Sequence, residues 1–157
     1  MSSDPTSATS SPSGDTITIE NNMGTFQFRP DQILFFPQGL VGFPDNQEFG
    51  LTNLPNPALS EFKLLQCLSE PRLSFIVLPN PIETSTFEAN DIEEACTACG
   101  FKKSDTALLF IVTIRKTGEG IAMTINQRAP VLVDMVQRLA RQYVLSNNKY
   151  AVQHPLN

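Results

Sequence analysis

Proline and glycine punctuation limits the fold of this chain more than any other feature. Between residues 37 and 81, Pro37, Gly39, Gly42, Pro44, Pro55, Pro57, Pro71, Pro79 and Pro81 interrupt the apolar runs before any reaches the length of an ordinary α-helix. The segments between them, Phe49 to Leu54, Phe62 to Leu68 and Leu73 to Leu78, together with Ile33 to Phe36, have the length and apolar content of strands. Upstream, Ile17 and Ile19 alternate with Thr18 and Glu20, Asn21 to Gly24 is turn-forming, and Phe26 and Phe28 flank Gln27. That is the pattern of a β-hairpin. Short strands in this number predict a mostly β chain: a small antiparallel β-barrel-like domain with one or two short helices.

One helix is well signalled. Asn90 is the expected cap, Asp91, Glu93 and Glu94 place negative charge at the positive end of the helix dipole, and Gly100 stands where a left-handed C-terminal cap falls. Ile92, Ala95, Cys96 and Cys99, spaced i, i+3, i+4 and i+7, give it one apolar face. Beyond it, Thr106 to Arg115 reads as a central strand that the turn 116–120 folds back onto Ile121 to Asn126. Val131 and Val133 alternate into Asp134 as a strand does, but Met135 to Gln142 suits helix or strand equally.

The first 15 residues hold eight Ser or Thr and two Pro with no large apolar side chain after Met1, which predicts a disordered tail and a folded domain over residues 16–157. A chain of 157 residues with 41% apolar side chains can bury a core without a metal or disulfide. The longest apolar run, Ala107 to Val112, is far short of the about 20 residues of a membrane span, and no basic N-terminal region marks a secretory signal. With three cysteines in no disulfide pattern, a reducing, cytoplasmic setting is expected. The net charge of −5 argues against direct binding to nucleic-acid phosphates. It is unevenly spread: residues 1–105 carry 14 acidic and 5 basic side chains, residues 106–157 carry 2 and 6.

Candidate chemistry is sparse. Cys96 and Cys99, two residues apart, have the spacing of a redox or metal pair, but they fall at the C-terminal end of the helix, where the dipole opposes a thiolate. The competing reading is two buried, inert side chains. The only histidine, His154, has no Ser or Cys relay around it, and no nucleophile elbow, zinc helix motif or phosphate loop is present. His154 is equally a structural ring that hydrogen-bonds backbone near the terminus. No enzyme, cofactor or metal site is expected. Phe35, Phe36 and Phe43 flank a Pro/Gly-rich loop and are either a core plug or partner-facing anchors.

Phe36-Pro37-Gln38-Gly39-Leu40-Val41-Gly42-Phe43, then Leu65-Gln66-Cys67 and Leu73-Ser74-Phe75-Ile76-Val77, resemble the N-terminal half of the FliW family. Val112-Thr113-Ile114, Thr124-Ile125-Asn126, Ala129-Pro130-Val131-Leu132-Val133, Gln142-Tyr143-Val144-Leu145, Tyr150 and His154-Pro155-Leu156 continue the likeness in order over residues 16–157. The chain departs from the family pattern at Ile125, Asp134, Gln153 and Cys67, and between Ile82 and Asn90.

The resemblance implies a β-barrel-like domain without catalytic activity, monomeric when free. It also implies two competing partners, the RNA-binding repressor CsrA and flagellin. Binding CsrA would relieve repression of flagellin messenger RNA, and flagellin would displace CsrA. A simple flagellin chaperone is the alternative. Phe43, Asn126, Pro130 and His154 occupy motif positions and are the candidate partner contacts, while Pro37, Gly39 and Gly42 are expected to set loop geometry. The acidic residues Glu83, Glu88, Asp91, Glu93 and Glu94 are expected to form a surface that repels RNA phosphates from a bound repressor.

Overall fold

The structure, a computed structural model, describes residues 16–80 and 87–156. The expected tail and Glu83 lie outside the described residues.

The predicted N-terminal hairpin is present as β1 (Ile17–Asn21) and β2 (Gly24–Phe28), paired from Ile17 with Phe28 to Asn21 with Gly24. Asn21 Oδ1 accepts the Met23 N–H at 2.7 Å, which fixes the turn. The period of two buries Ile19, Phe26 and Phe28 against Leu64.

The remaining strands are β3 (Ile33–Phe35), β4 (Glu48–Asn53), β5 (Lys63–Cys67), β6 (Ser74–Asn80), β7 (Thr106–Thr117), β8 (Gly120–Ile125), β9 (Val131–Asp134), β10 (Leu139–Gln142) and β11 (His154–Pro155). They form one sheet in the order β9-β10-β3-β4-β5-β6-β7-β8-β11. β9 also pairs with β7, from Val131 opposite Leu109 to Asp134 opposite Thr106, so the sheet curls back upon itself. It is barrel-like only in that loose sense, since β8 and β11 run on past the curl. Pairing is antiparallel throughout except for one parallel bridge between Leu139 and Phe35.

The helix α1 runs Ala89–Cys99. Its expected apolar face is correct: Ile92, Ala95 and Cys96 are buried and Cys99 is half-buried. Gly100, at φ 74°, ends it; the Phe101 N–H reaches Cys96 O at 2.9 Å and the Gly100 N–H reaches Thr97 O at 3.1 Å. Its start differs from expectation. Glu88 holds the cap position without a side-chain cap, and Asn90 lies inside the first turn.

From Ala107 to Val112 β7 is apolar without alternation because both of its faces are covered there, whereas Thr113 to Thr117 are exposed. Leu109 joins the cluster inside the curl with Leu34, Phe36, Phe49, Val131 and Val133. Leu108, Phe110 and Val112 face the other way, onto Phe87, Ile92 and Cys96 of the helical layer.

Two further points differ from or complete the sequence reading. Pro79 does not end its strand: β6 continues through it to Asn80, with Pro79 opposite Leu109. β5 pairs with β6 only as far as Val77, so Pro79 sits where β6 has a neighbour on one side alone, the setting in which a residue without an N–H is tolerated. The ambiguous 135–142 stretch is turn then strand. Buried Asp134 accepts the N–H groups of Val136 at 2.9 Å and Gln137 at 3.1 Å, a local alternative to helical bonding, and Arg138 takes a left-handed φ of 56°.

Candidate partner-binding face

The loop before β4 is built on two glycines. Gly39 has φ 64°, and a Cβ there would lie 2.1 Å from the Phe43 carbonyl oxygen; Gly42 has φ 90°. The Gly39 N–H reaches Phe36 O at 2.9 Å and the Phe43 N–H reaches Leu40 O at 2.8 Å. Pro37 O accepts the Gln47 side chain at 2.8 Å, so all three expected loop-shaping residues lie in one tightly folded turn. The phenylalanines divide between the two roles considered for them. Phe36 is fully buried, whereas Phe35 is exposed and Phe43, 38% exposed, packs edge-on against Phe75 at 5.7 Å. Between the buried Leu40 and Gly42, Val41 stands 64% exposed.

Gln142 ties this loop to the segment after β8. Its Oε1 accepts the Val41 N–H at 2.9 Å, and its Nε2 donates to Ala129 O at 3.2 Å. Asn126 Oδ1 accepts the Ala129 N–H at 3.1 Å, Pro130 O accepts the Tyr143 N–H at 3.0 Å, and Arg128 O accepts the Leu145 N–H at 2.9 Å. These bonds frame an open cleft of about 230 Å³ walled by Val41, Arg128, Val144 and Val152 and floored by Asn126, Ala129 and Gln142. Val144 and Val152 are 52% and 55% exposed.

Of the four candidate contacts, Asn126 lines the cleft and Phe43 lies on the loop that carries Val41. Pro130 is buried and does not line the cleft. His154 is on the edge strand β11: its backbone pairs with Ile125, its side chain is exposed, and the terminus is held by backbone bonds such as Leu156 N–H to Met123 O at 2.9 Å. Val41, Arg128, Gln142, Val144 and Val152 were not singled out from the sequence. Val41, Gln142 and Val144 lay within the quoted motifs, and their exposure was the missing signal.

The acidic helix face differs from the expected free surface. Asp91 is buried and receives Lys149 Nζ at 2.8 Å, the Tyr150 hydroxyl at 2.7 Å and Asn147 Nδ2 at 2.9 Å. Glu88 pairs with Lys149 at 3.0 Å. Glu94 accepts the Tyr143 hydroxyl at 2.6 Å and the Ser146 hydroxyl at 3.1 Å. Three of the five carboxylates thus clamp α1 to the 143–150 segment, Glu88 from an exposed position, and Glu93 alone of the described four takes no part in the clamp. The Lys149 ammonium, with Tyr150 and Asn147, holds the Asp91 carboxyl below the usual carboxylate range despite burial. The Tyr143 hydroxyl, with Ser146, does the same for Glu94.

Cys96 and Cys99 are free thiols, and burial raises the pKa of each. No group of three His, Cys, Asp or Glu among the described residues is placed to hold a metal ion. Native protein at pH 7.5 is therefore expected to leave Cys96 unmodified by iodoacetamide over a time in which denatured protein reacts fully, read by intact mass. Rapid native labelling of both helix thiols would contradict their placement.

No helix among the described residues is long and apolar enough to cross a membrane. A model of the FliW protein family matches residues 17–156. The flagellar assembly factor FliW of Oceanobacillus iheyensis is 34% identical over 135 residues, covering 83% of this chain and 87% of that protein. The Bdellovibrio bacteriovorus flagellar assembly factor FliW is 32% identical over 141 residues, covering 89% and 78%. A crystal structure of the flagellar assembly factor FliW superposes with a TM-score of 0.69 at 26% identity, covering 90% of this chain and 96% of that one. With the family model matched over residues 17–156, relatives of 34% and 32% identity over most of its length and a solved structure of the same fold, this chain belongs to the FliW family of flagellar assembly factors.

Proposed function

We propose that this chain works by exclusive partner exchange: it binds CsrA, relieving repression of flagellin messenger RNA, and gives CsrA up when newly made flagellin takes its place. One observation carries the reading. Segments around 41, 126–129, 142–144 and 152, far apart in sequence, converge on a small open cleft whose three valines are exposed in the free chain. A face this small admits one partner at a time, and two ligands that exclude one another weaken each other by the same factor. The acidic helix contributes to this scheme mainly by holding the 143–150 segment in place, since Glu88, Asp91 and Glu94 are engaged within the chain.

The test is a competition binding assay with purified CsrA and flagellin, each alone and then together. Each is expected to bind, and flagellin is expected to displace CsrA. Val144→Asp, which sets a charge into the apolar wall, is expected to weaken both partners at least about tenfold, or about 1.4 kcal/mol, without lowering the melting temperature. Flagellin binding with no CsrA binding would leave only a chaperone role, and binding of neither would overturn the reading.

A further inference from the structure

The cleft has a polar feature that its apolar walls do not explain. Among the described residues, Arg128 Nε is the one buried side-chain nitrogen or oxygen without a hydrogen-bond partner, and Arg128 makes no ion pair there. That Nε is covered by the protein itself, while Arg128 as a residue is only half-buried and lines the cleft, so the donors an occupant can meet are the outer Nη groups of the guanidinium. The neighbouring polar groups are already engaged: Gln142 at both ends of its amide, and Asn126 Oδ1 with the Ala129 N–H. No carboxylate lines the cleft, so in a chain of net charge −5 its single charged wall residue is a cation.

We propose that the cleft seats an extended protein segment that sets a carboxylate side chain against the Arg128 guanidinium and aliphatic side chains on Val41, Val144 and Val152. This rests on the reading above that the cleft is the partner-binding face, and it adds the partner's chemistry. Three properties select that occupant. The guanidinium fork matches a carboxylate with two parallel bonds and matches a neutral carbonyl poorly. The valines lie around it, so the carboxylate must be flanked by apolar groups rather than stand alone. The volume of about 230 Å³ is below the about 300–1,000 Å³ of sites that enclose small metabolites, and the cleft is open along one side, as suits side chains of a longer chain.

The test uses the full ¹⁵N-labelled chain titrated with two blocked peptides, Gly-Val-Ser-Glu-Ser-Val-Gly, whose alternate positions put Val, Glu and Val on one face of an extended chain, and its twin with Gln in place of Glu, and with sodium phosphate alone, followed by amide chemical shifts. The acidic peptide is expected to bind in the millimolar range and to shift the amides of Val41, Asn126, Val144 and Val152. The Gln peptide is expected to bind about tenfold more weakly. Arg128→Gln should erase that preference, and Arg128→Lys, which keeps the charge and stem but not the fork, should reduce it about threefold. Val144→Ser, at an exposed position, should weaken both peptides alike.

Equal binding of the two peptides, shifts centred elsewhere, no shifts at millimolar peptide, or phosphate reproducing the whole effect would each overturn the proposal. Failure here is distinguishable from failure of partner exchange. If CsrA and flagellin compete normally on the Arg128→Gln and Val144→Ser variants, the cleft chemistry is wrong while exchange stands. If the peptides behave as expected but neither protein binds, exchange is wrong and the cleft stands.

Discussion

Phe28→Ala is expected to lower the stability of this protein by about 4 kcal/mol, and Gly50→Ala to cost less in that background than in the wild-type chain. Phe28 is fully buried, and its ring lies on the backbone of Gly50 in β4, where a Cβ would come within 2.3 Å of Phe28 Cδ1. The glycine has no left-handed φ to satisfy. It is there because the β1–β2 hairpin, which pairs with no strand of the large sheet, docks across that sheet by its aromatic face and needs a place for one ring. Removing the ring loses its transfer free energy and leaves a cavity, a shift of about 12 °C in melting temperature for a domain this size. A methyl added at residue 50 instead pushes the ring off its seat, at about 1–3 kcal/mol. In the double variant the two changes compensate, because the new methyl fills part of the space the ring left. Strict additivity in chemical denaturation of the four proteins would sink this account. Neither residue lies near the cleft, so peptide and partner binding at 20 °C should be unchanged while the folded state persists.

Gly50 also marks where sequence reading stops. The hairpin was legible because Ile17, Ile19, Phe26 and Phe28 repeat with the period of a strand, and so was α1, because Ile92, Ala95 and Cys96 repeat with that of a helix and Gly100 supplies its cap. Those signals are local. A glycine in a strand seated under a ring 22 residues away carries no local signal, nor does Pro79, tolerated only because β5 ends its pairing at Val77. The residue type of Asn90 favours a cap there, yet Glu88 holds that position, its N–H bonding to the Tyr150 hydroxyl at 3.0 Å, 62 residues on. The cleft shows the same limit. Motif order brought Asn126 and the 36–43 loop to notice, but Gln142 joins them across 101 residues, and the valines beside it are ordinary apolar residues until their exposure is known.

Asp91→Ala is expected to destabilise the chain by about 3 kcal/mol at pH 7, lowering its melting temperature by about 10 °C. The carboxylate is buried and carries three donors at 2.7 to 2.9 Å, and its loss leaves Asn147 and Tyr150 without their acceptor and Lys149 with Glu88 alone. The pH dependence has a definite sign. Asp91 is held more acidic in the folded chain than in the unfolded one, so its contribution is complete above about pH 5, where the unfolded carboxyl is fully ionised. It is lost as pH falls below that through the folded value. Wild-type stability should therefore drop more steeply between about pH 5 and 2 than that of Asp91→Ala, and the two melting curves should converge at the acid end. Parallel curves over that range would show that Asp91 is not the titrating support. The same variant tests the link from clamp to cleft. Asp91 touches no wall of the cleft, but Asn147, Lys149 and Tyr150 continue the segment that carries Val144 and leads to Val152. Freed of the helix, that segment should sample more positions, and peptide affinity at 20 °C and pH 7 should fall about threefold while the folded fraction stays near one. Unchanged affinity would mean that the Tyr143 and Leu145 backbone bonds to Pro130 and Arg128 hold the cleft wall by themselves.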